Sequence, residues 1–217
     1  MEAIFTRPFH IPEIIFVLSL TALLCLPFAL REVIRDAGMS LLLPITLFGL
    51  LLARVLAGLG VRRPLSGFAL LLLGPLALYI RIGQMGGALF ELLRQLFVFI
   101  PSVFNKLIYK TPLEFSVLLL SINGLTQKIF GFSARLWLWL TSIFHGIIIE
   151  DPVARTFMWS TALWLIAVWA GWQIYGNNKF MLGMLPSTVV LAFVLDYTGK
   201  EKEILWFHLA LLLFLNG

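Results

Sequence analysis

Six stretches of the chain carry no Asp, Glu, Lys or Arg over lengths that suit a lipid bilayer: residues 14–30, 37–53, 64–80, 156–178, 180–195 and 204–217. A hydrocarbon core about 30 Å thick takes roughly 20 apolar residues as an α-helix, with about 17 to 25 tolerated. The first five stretches are therefore long enough, or nearly so, to span, and the sixth runs into the end of the chain. Strands of a membrane barrel alternate apolar and polar residues, whereas these runs are apolar on every side. The expectation is an all-α, polytopic membrane helical bundle with about six spans.

Composition narrows the function classes. Hydrophobic residues make up 60% of the 217 and charged residues 12%, with a mean hydropathy of +0.98, outside the range of soluble globular domains. The net charge of +5 does not point to nucleic acid, because the Lys and Arg residues are dispersed with no basic run. Membrane orientation and anionic headgroups account for them better. Cys25 is the sole cysteine, so neither an internal disulfide nor a zinc site is available, and it reads as a small buried apolar residue. The first stretch lacks a small-x-small cleavage site and is followed by Arg31, Glu32, Arg35 and Asp36, so it reads as a retained span rather than a signal peptide.

Three segments follow. Residues 1–83 hold three spans, with Pro27, Pro44 and Pro75 inside them. The turn carrying Arg54, Arg62 and Arg63 has no acid; by the positive-inside rule it is cytoplasmic, as are the N-terminus with Arg7 and the turn 176–179. This implies a multi-pass protein of the cell inner (plasma) membrane.

Residues 84–150 are apolar but interrupted by charge every few positions. Leu89, Leu92, Leu93, Leu96, Ile100, Val103 and Leu107 recur at helical spacing opposite Glu91, Arg94, Gln95, Ser102, Asn105 and Lys106, an amphipathic helix with a bend or break expected at Pro101. After Lys110, Thr111 and Pro112, a second stripe runs from Leu118 through Ile122, Leu125, Ile129, Phe132, Leu136, Leu140, Ile143 and Ile147. Glu114, Ser121, Lys128, Arg135 and Ser142 repeat every seven residues beside it. Gly124 and Gly131 are possible interruptions. These helices are expected in the headgroup interface rather than packed over the bundle, with a re-entrant segment from Phe115 to Leu125 as an alternative.

Residues 151–217 return to spans, three of them. Asp151 before Pro152 reads as an N-cap followed by a first-turn proline. Trp159, Trp164, Trp169 and Trp172 suit anchoring and packing, and Ala167 with Gly171 suits close helix contact.

Chemistry is sparse. His10, His145 and His208 are far apart in sequence, Glu150 and Asp151 read as loop or cap, and Asp196 as a boundary turn. No Walker loop, no G-x-S-x-G elbow and no catalytic carboxylate pair occurs. No catalytic, cofactor-binding or metal residue is assigned, and no cofactor is expected. The spans lack the ionisable groups that pumps and coupled transporters carry, apart from marginal residues such as His208.

The stretch 133–199, with Asp151-Pro152, the Trp-rich run 162–172, Lys179, Leu185-Pro186 and the ending Tyr197-Thr198-Gly199, resembles the N-terminal membrane region of bacterial transglutaminase-like membrane proteins. The resemblance implies spans, an amphipathic insertion and further spans that carry an extracytoplasmic domain. Catalysis in that family uses Cys, His and Asp of that domain, and the sequence reaches Gly217 before any such domain. No catalytic residue is therefore carried over, and Cys25 within a span is no substitute nucleophile. The expected function is a non-catalytic membrane anchor or scaffold module, with the lipid bilayer and a protein partner, or a covalently continuous extracytoplasmic domain, as its associates. The alternative is a structural subunit of a larger membrane complex contacting lipid or pigment. A small transporter or channel is the weaker third reading.

Overall fold

The computed structural model describes residues 11–31, 39–59, 63–109, 115–147, 149–199 and 202–216. Among them the regular structure is helical throughout: α1 (Ile11–Leu30), α2 (Met39–Gly58), α3 (Arg63–Ile82), α4 (Gly86–Tyr109), α5 (Ser116–Phe144), α6 (Pro152–Gly171), a π-helical turn (Trp172–Gly176), α7 (Phe180–Thr198) and α8 (Lys202–Asn216). Arg7, His10, Arg35, Arg62, Thr111, Glu114 and Lys200 lie outside the described residues.

Five helices are long and apolar enough to cross a bilayer: α1, α2, α5, α6 with its π turn, and α7. Residues 66–82 of α3 and 86–101 of α4 meet the same requirement together but are bent by 99°, and make a sixth where the pair is one broken span rather than a re-entrant loop. Five to six candidates are consistent with the expected number of about six; the membership differs. Helix α8 has 15 residues, which at about 1.5 Å each is shorter than a hydrocarbon core. Helix α5 takes its place among the candidates because it runs unbroken for 29 residues. Gly124 and Gly131 do not interrupt it, and α4 continues through Pro101. In apolar surroundings no water competes for the backbone, so one glycine, or one hydrogen bond lost to proline, does not end a helix.

The chain forms two compact units, residues 1–75 with 158–217, and residues 76–157.

In the first unit α1 packs on α2, α7 and α8, and α2 packs on the π turn. Lipid tails are as apolar as leucine, so close packing rather than exclusion from water holds such helices together, and small residues set the approach. Gly49 and Ala53 of α2 meet Ala167 and Gly171 of α6. A Cβ on Gly49 would lie 3.0 Å from Ala167 Cβ, and one on Gly171 would lie 2.6 Å from Ala53 Cβ. The expected contact at Ala167 and Gly171 is thus one half of a reciprocal pair. Trp164 is buried flat against Gly74 of α3, where a Cβ would fall 2.0 Å from Cε2 of the indole. Its Nε1–H donates to Leu70 O at 2.8 Å. The hydroxyls of Ser19 and Thr46 bond within their own helices, to Ile15 O at 2.6 Å and to Leu42 O at 3.0 Å, which satisfies them without water.

In the second unit the chain turns at Gly83, Gln84 and Met85, with Gln84 at φ 52° and Met85 buried. Helices α4 and α5 run antiparallel. Lys128 Nζ donates to Gln84 O at 3.1 Å at one end, and the Phe99 and Phe115 rings lie 5.2 Å apart at the other. Tyr79, Phe132 and Phe157 form an edge-to-face cluster with centroids 4.9 to 6.1 Å apart, a favoured ring geometry. The Tyr79 hydroxyl donates to Ile129 O at 3.0 Å.

Candidate functional site

Two polar clusters stand out in the otherwise apolar first unit. The first is His208, which the sequence places at a span margin. In the structure His208 is 1% exposed and joins three helices. Nδ1 lies 2.9 Å from Ala22 O of α1, and Nε2 lies 2.9 Å from Thr188 Oγ1 of α7. A carbonyl oxygen can only accept, so Nδ1 carries the proton and Nε2 is left as an acceptor facing the Thr188 hydroxyl, whose single hydrogen is shared between Nε2 and Met184 O at 3.0 Å. Helix α8 begins at Lys202, two residues before the uncharged run, which sets His208 almost two turns into the helix. An ionisable group buried within a membrane bundle marks a place where helices are fixed or function resides.

The second cluster is at the end of the unit where α1 begins and where α2 and the π turn finish. Arg54 of α2 places its guanidinium 4.8 Å from the Phe16 ring centroid and 5.6 Å from that of Tyr175. Gln173 in the same π turn is buried, and its Oε1 accepts from Asn177 Nδ2 at 3.0 Å. A π turn widens the helix by one residue and is frequent at functional sites. Here it sets Tyr175 toward Arg54 of α2 and Gln173 against Gly183 of α7, while Lys179 N–H returns to Gln173 O at 2.8 Å.

In the second unit both described cations near the middle of α5 are compensated. Lys128 is held by the Gln84 carbonyl, and Arg135 forms a charged hydrogen bond with Asp151. Asp151 also caps α6 as the sequence indicates: Oδ1 accepts from Val153 N–H at 2.9 Å and Ala154 N–H at 3.0 Å. Partial burial raises the Asp151 pKa, but the Arg135 hydrogen bond and the two capping amides outweigh it and hold the carboxyl below its ordinary value.

The remaining candidates separate. Cys25 is buried, its sulfur 3.6 Å from Thr21 O. His145 is exposed at the end of α5, with Nδ1 2.7 Å from Thr141 O. Glu150 and Asp196 are exposed. Gly199 closes α7 at φ 64° just after Asp196, as a boundary requires. Among the described residues no three of His, Cys, Asp and Glu converge as metal ligands. Sequence reasoning missed the Arg54 cluster and the Arg135–Asp151 pair, which join residues remote in the chain; the small pair Gly49 and Ala53 was legible by its spacing of four.

A helical bundle with five to six apolar helices of spanning length defines a multi-pass membrane protein. Compared with known proteins, the chain has no match to a family model, a curated protein or a solved structure.

Proposed function

We propose that this chain is a non-catalytic integral membrane scaffold, resembling the membrane region of transglutaminase-like membrane proteins, whose α4–α5 hairpin receives a protein partner. One observation carries the reading: of the 29 residues of α5, only Phe132 and Ser142 are buried. Leu120 is 75%, Phe130 70% and Trp137 65% exposed, and Phe97 of α4 is 73% exposed. Exposed apolar faces of this extent are docking surfaces for protein or lipid. Aromatic side chains are the usual anchors of protein contacts. The spanning helices of the first unit supply the anchor. With N-terminus and basic turns inward, the scaffold serves a partner on the outer side.

Photo-crosslinking tests it. A benzophenone amino acid is placed at Phe130 or Trp137, with Phe48 of α2, 62% exposed, as the lipid-facing control. A discrete protein adduct in cells from the hairpin positions and not from Phe48 is the expected result. Lipid adducts alone at all three positions overturn the scaffold reading.

A further inference from the structure

We propose that Arg54, Phe16 and Tyr175 form a binding site for a phosphate oxyanion at the membrane surface, with an anionic phospholipid headgroup as its natural source. Phe16, Arg54 and Tyr175 each lie within a turn and a half of an end of α1, α2 or the π turn. These three ends share one side of the bundle, because the Arg54 guanidinium reaches both rings. Ends of spanning helices lie at the depth of lipid phosphates.

Among the described residues the site has a cation without an anion. Arg54 is half-buried, yet no carboxylate among the described residues pairs with it; the ion pairs found there are Arg94 with Glu91 and Arg135 with Asp151. Glu13, on the first turn of α1, is exposed. The two rings offer their π faces to the cation, and a ring face does not replace the oxygen acceptors that five N–H donors of a guanidinium seek. Beside it the Tyr175 hydroxyl is buried with no partner inside hydrogen-bond distance, the Ser19 hydroxyl being the neighbour that acts on it. The Ser19 hydroxyl nearby has given its hydrogen to Ile15 O. A fixed cation and an unused O–H donor are what a phosphate group takes up, the guanidinium in its two-pronged geometry. The unpaired charge favours a headgroup with a net negative charge over one that carries its own ammonium.

The test uses the full chain in zwitterionic micelles, with thermal unfolding followed during titration with short-chain phosphatidylglycerol, phosphatidylcholine or inorganic phosphate. Wild type should prefer phosphatidylglycerol over phosphatidylcholine by about tenfold in apparent affinity. Arg54→Gln should remove the preference. Arg54→Lys, which keeps the charge without the planar fork, should retain only part of it, and Tyr175→Phe, which keeps the ring without the hydroxyl, should weaken it severalfold. Lys179→Gln, an exposed cation in the adjoining turn, should leave it within about twofold, which separates a built site from diffuse attraction. Inorganic phosphate that competes shows that the phosphate group alone suffices and admits a soluble source; failure to compete assigns the site to lipid. An unchanged preference in Arg54→Lys and Tyr175→Phe, or its loss only in Lys179→Gln, overturns the site. The first two decide the matter even if Arg54→Gln does not fold, since each keeps the cation and the rings.

Discussion

Replacement of Gly74 by alanine adds one methyl group at the tightest contact in the first unit. The new Cβ would stand 2.0 Å from Trp164 Cε2 and 2.1 Å from Cδ2, where carbon atoms need roughly 3.5 to 4.0 Å. The indole must therefore move by about 1.5 Å, and its bond to Leu70 O, now 2.8 Å, stretches beyond useful length. Overpacking of this kind costs about 1–3 kcal/mol, and a lost interhelical hydrogen bond in a membrane protein about 0.6 kcal/mol, up to ~1.7. Alanine returns at most ~1 kcal/mol through helix propensity. The net expectation is a loss of about 1–3 kcal/mol. Gly131→Ala on α5 is the internal control: nothing lies within 4 Å of its added Cβ, so only the favourable propensity term remains. Reversible unfolding in mixed micelles, with tryptophan fluorescence as the probe, measures both. In a Trp164→Ala background the cost of Gly74→Ala should vanish, because the obstructing ring is gone. Equal stability of the Gly74 and Gly131 variants, or an undiminished cost without Trp164, would refute the packing argument.

The His208 node should show coupling: a double-mutant cycle of His208→Ala with Thr188→Val is expected to give about 0.6–1.7 kcal/mol, and strict additivity would mean the hydrogen bond contributes nothing. Asp151 has a folded pKa below its ordinary value, so its contribution is present above about pH 3.9 and lost as pH falls further through the folded pKa. Hydrogen exchange at Val153 and Ala154 should accelerate over that acid range in wild type, over a narrower one in Arg135→Gln, and show no such titration in Asp151→Ala. For orientation, in a Cys25→Ser background a cysteine at exposed Asn178 should resist an impermeant thiol reagent in intact cells, while one at exposed Arg31 should react; the opposite pattern inverts the topology.

The sequence by itself determined what any apolar helix must do in a bilayer. Uncharged runs of bilayer length dictated helices, since no other open chain can satisfy its backbone there, and the start of α6 was written locally in Asp151 and Pro152. These are short-range facts, set by residues within a turn or two of one another. The long course of α5 was not legible, because its two glycines and the charges Lys128 and Arg135 look disruptive until Gln84 and Asp151 are seen to compensate those charges. Nor was either polar cluster: His208 meets Ala22 across 186 residues, and the Arg54 cluster draws on α1, α2 and the π turn. Hydropathy records how each helix suits lipid, but not which face meets which neighbour. That choice rests on reciprocal shape, the small residues Gly49, Ala53, Ala167 and Gly171 and the indole of Trp164 against Gly74, and shape of this kind exists only once the helices are assembled.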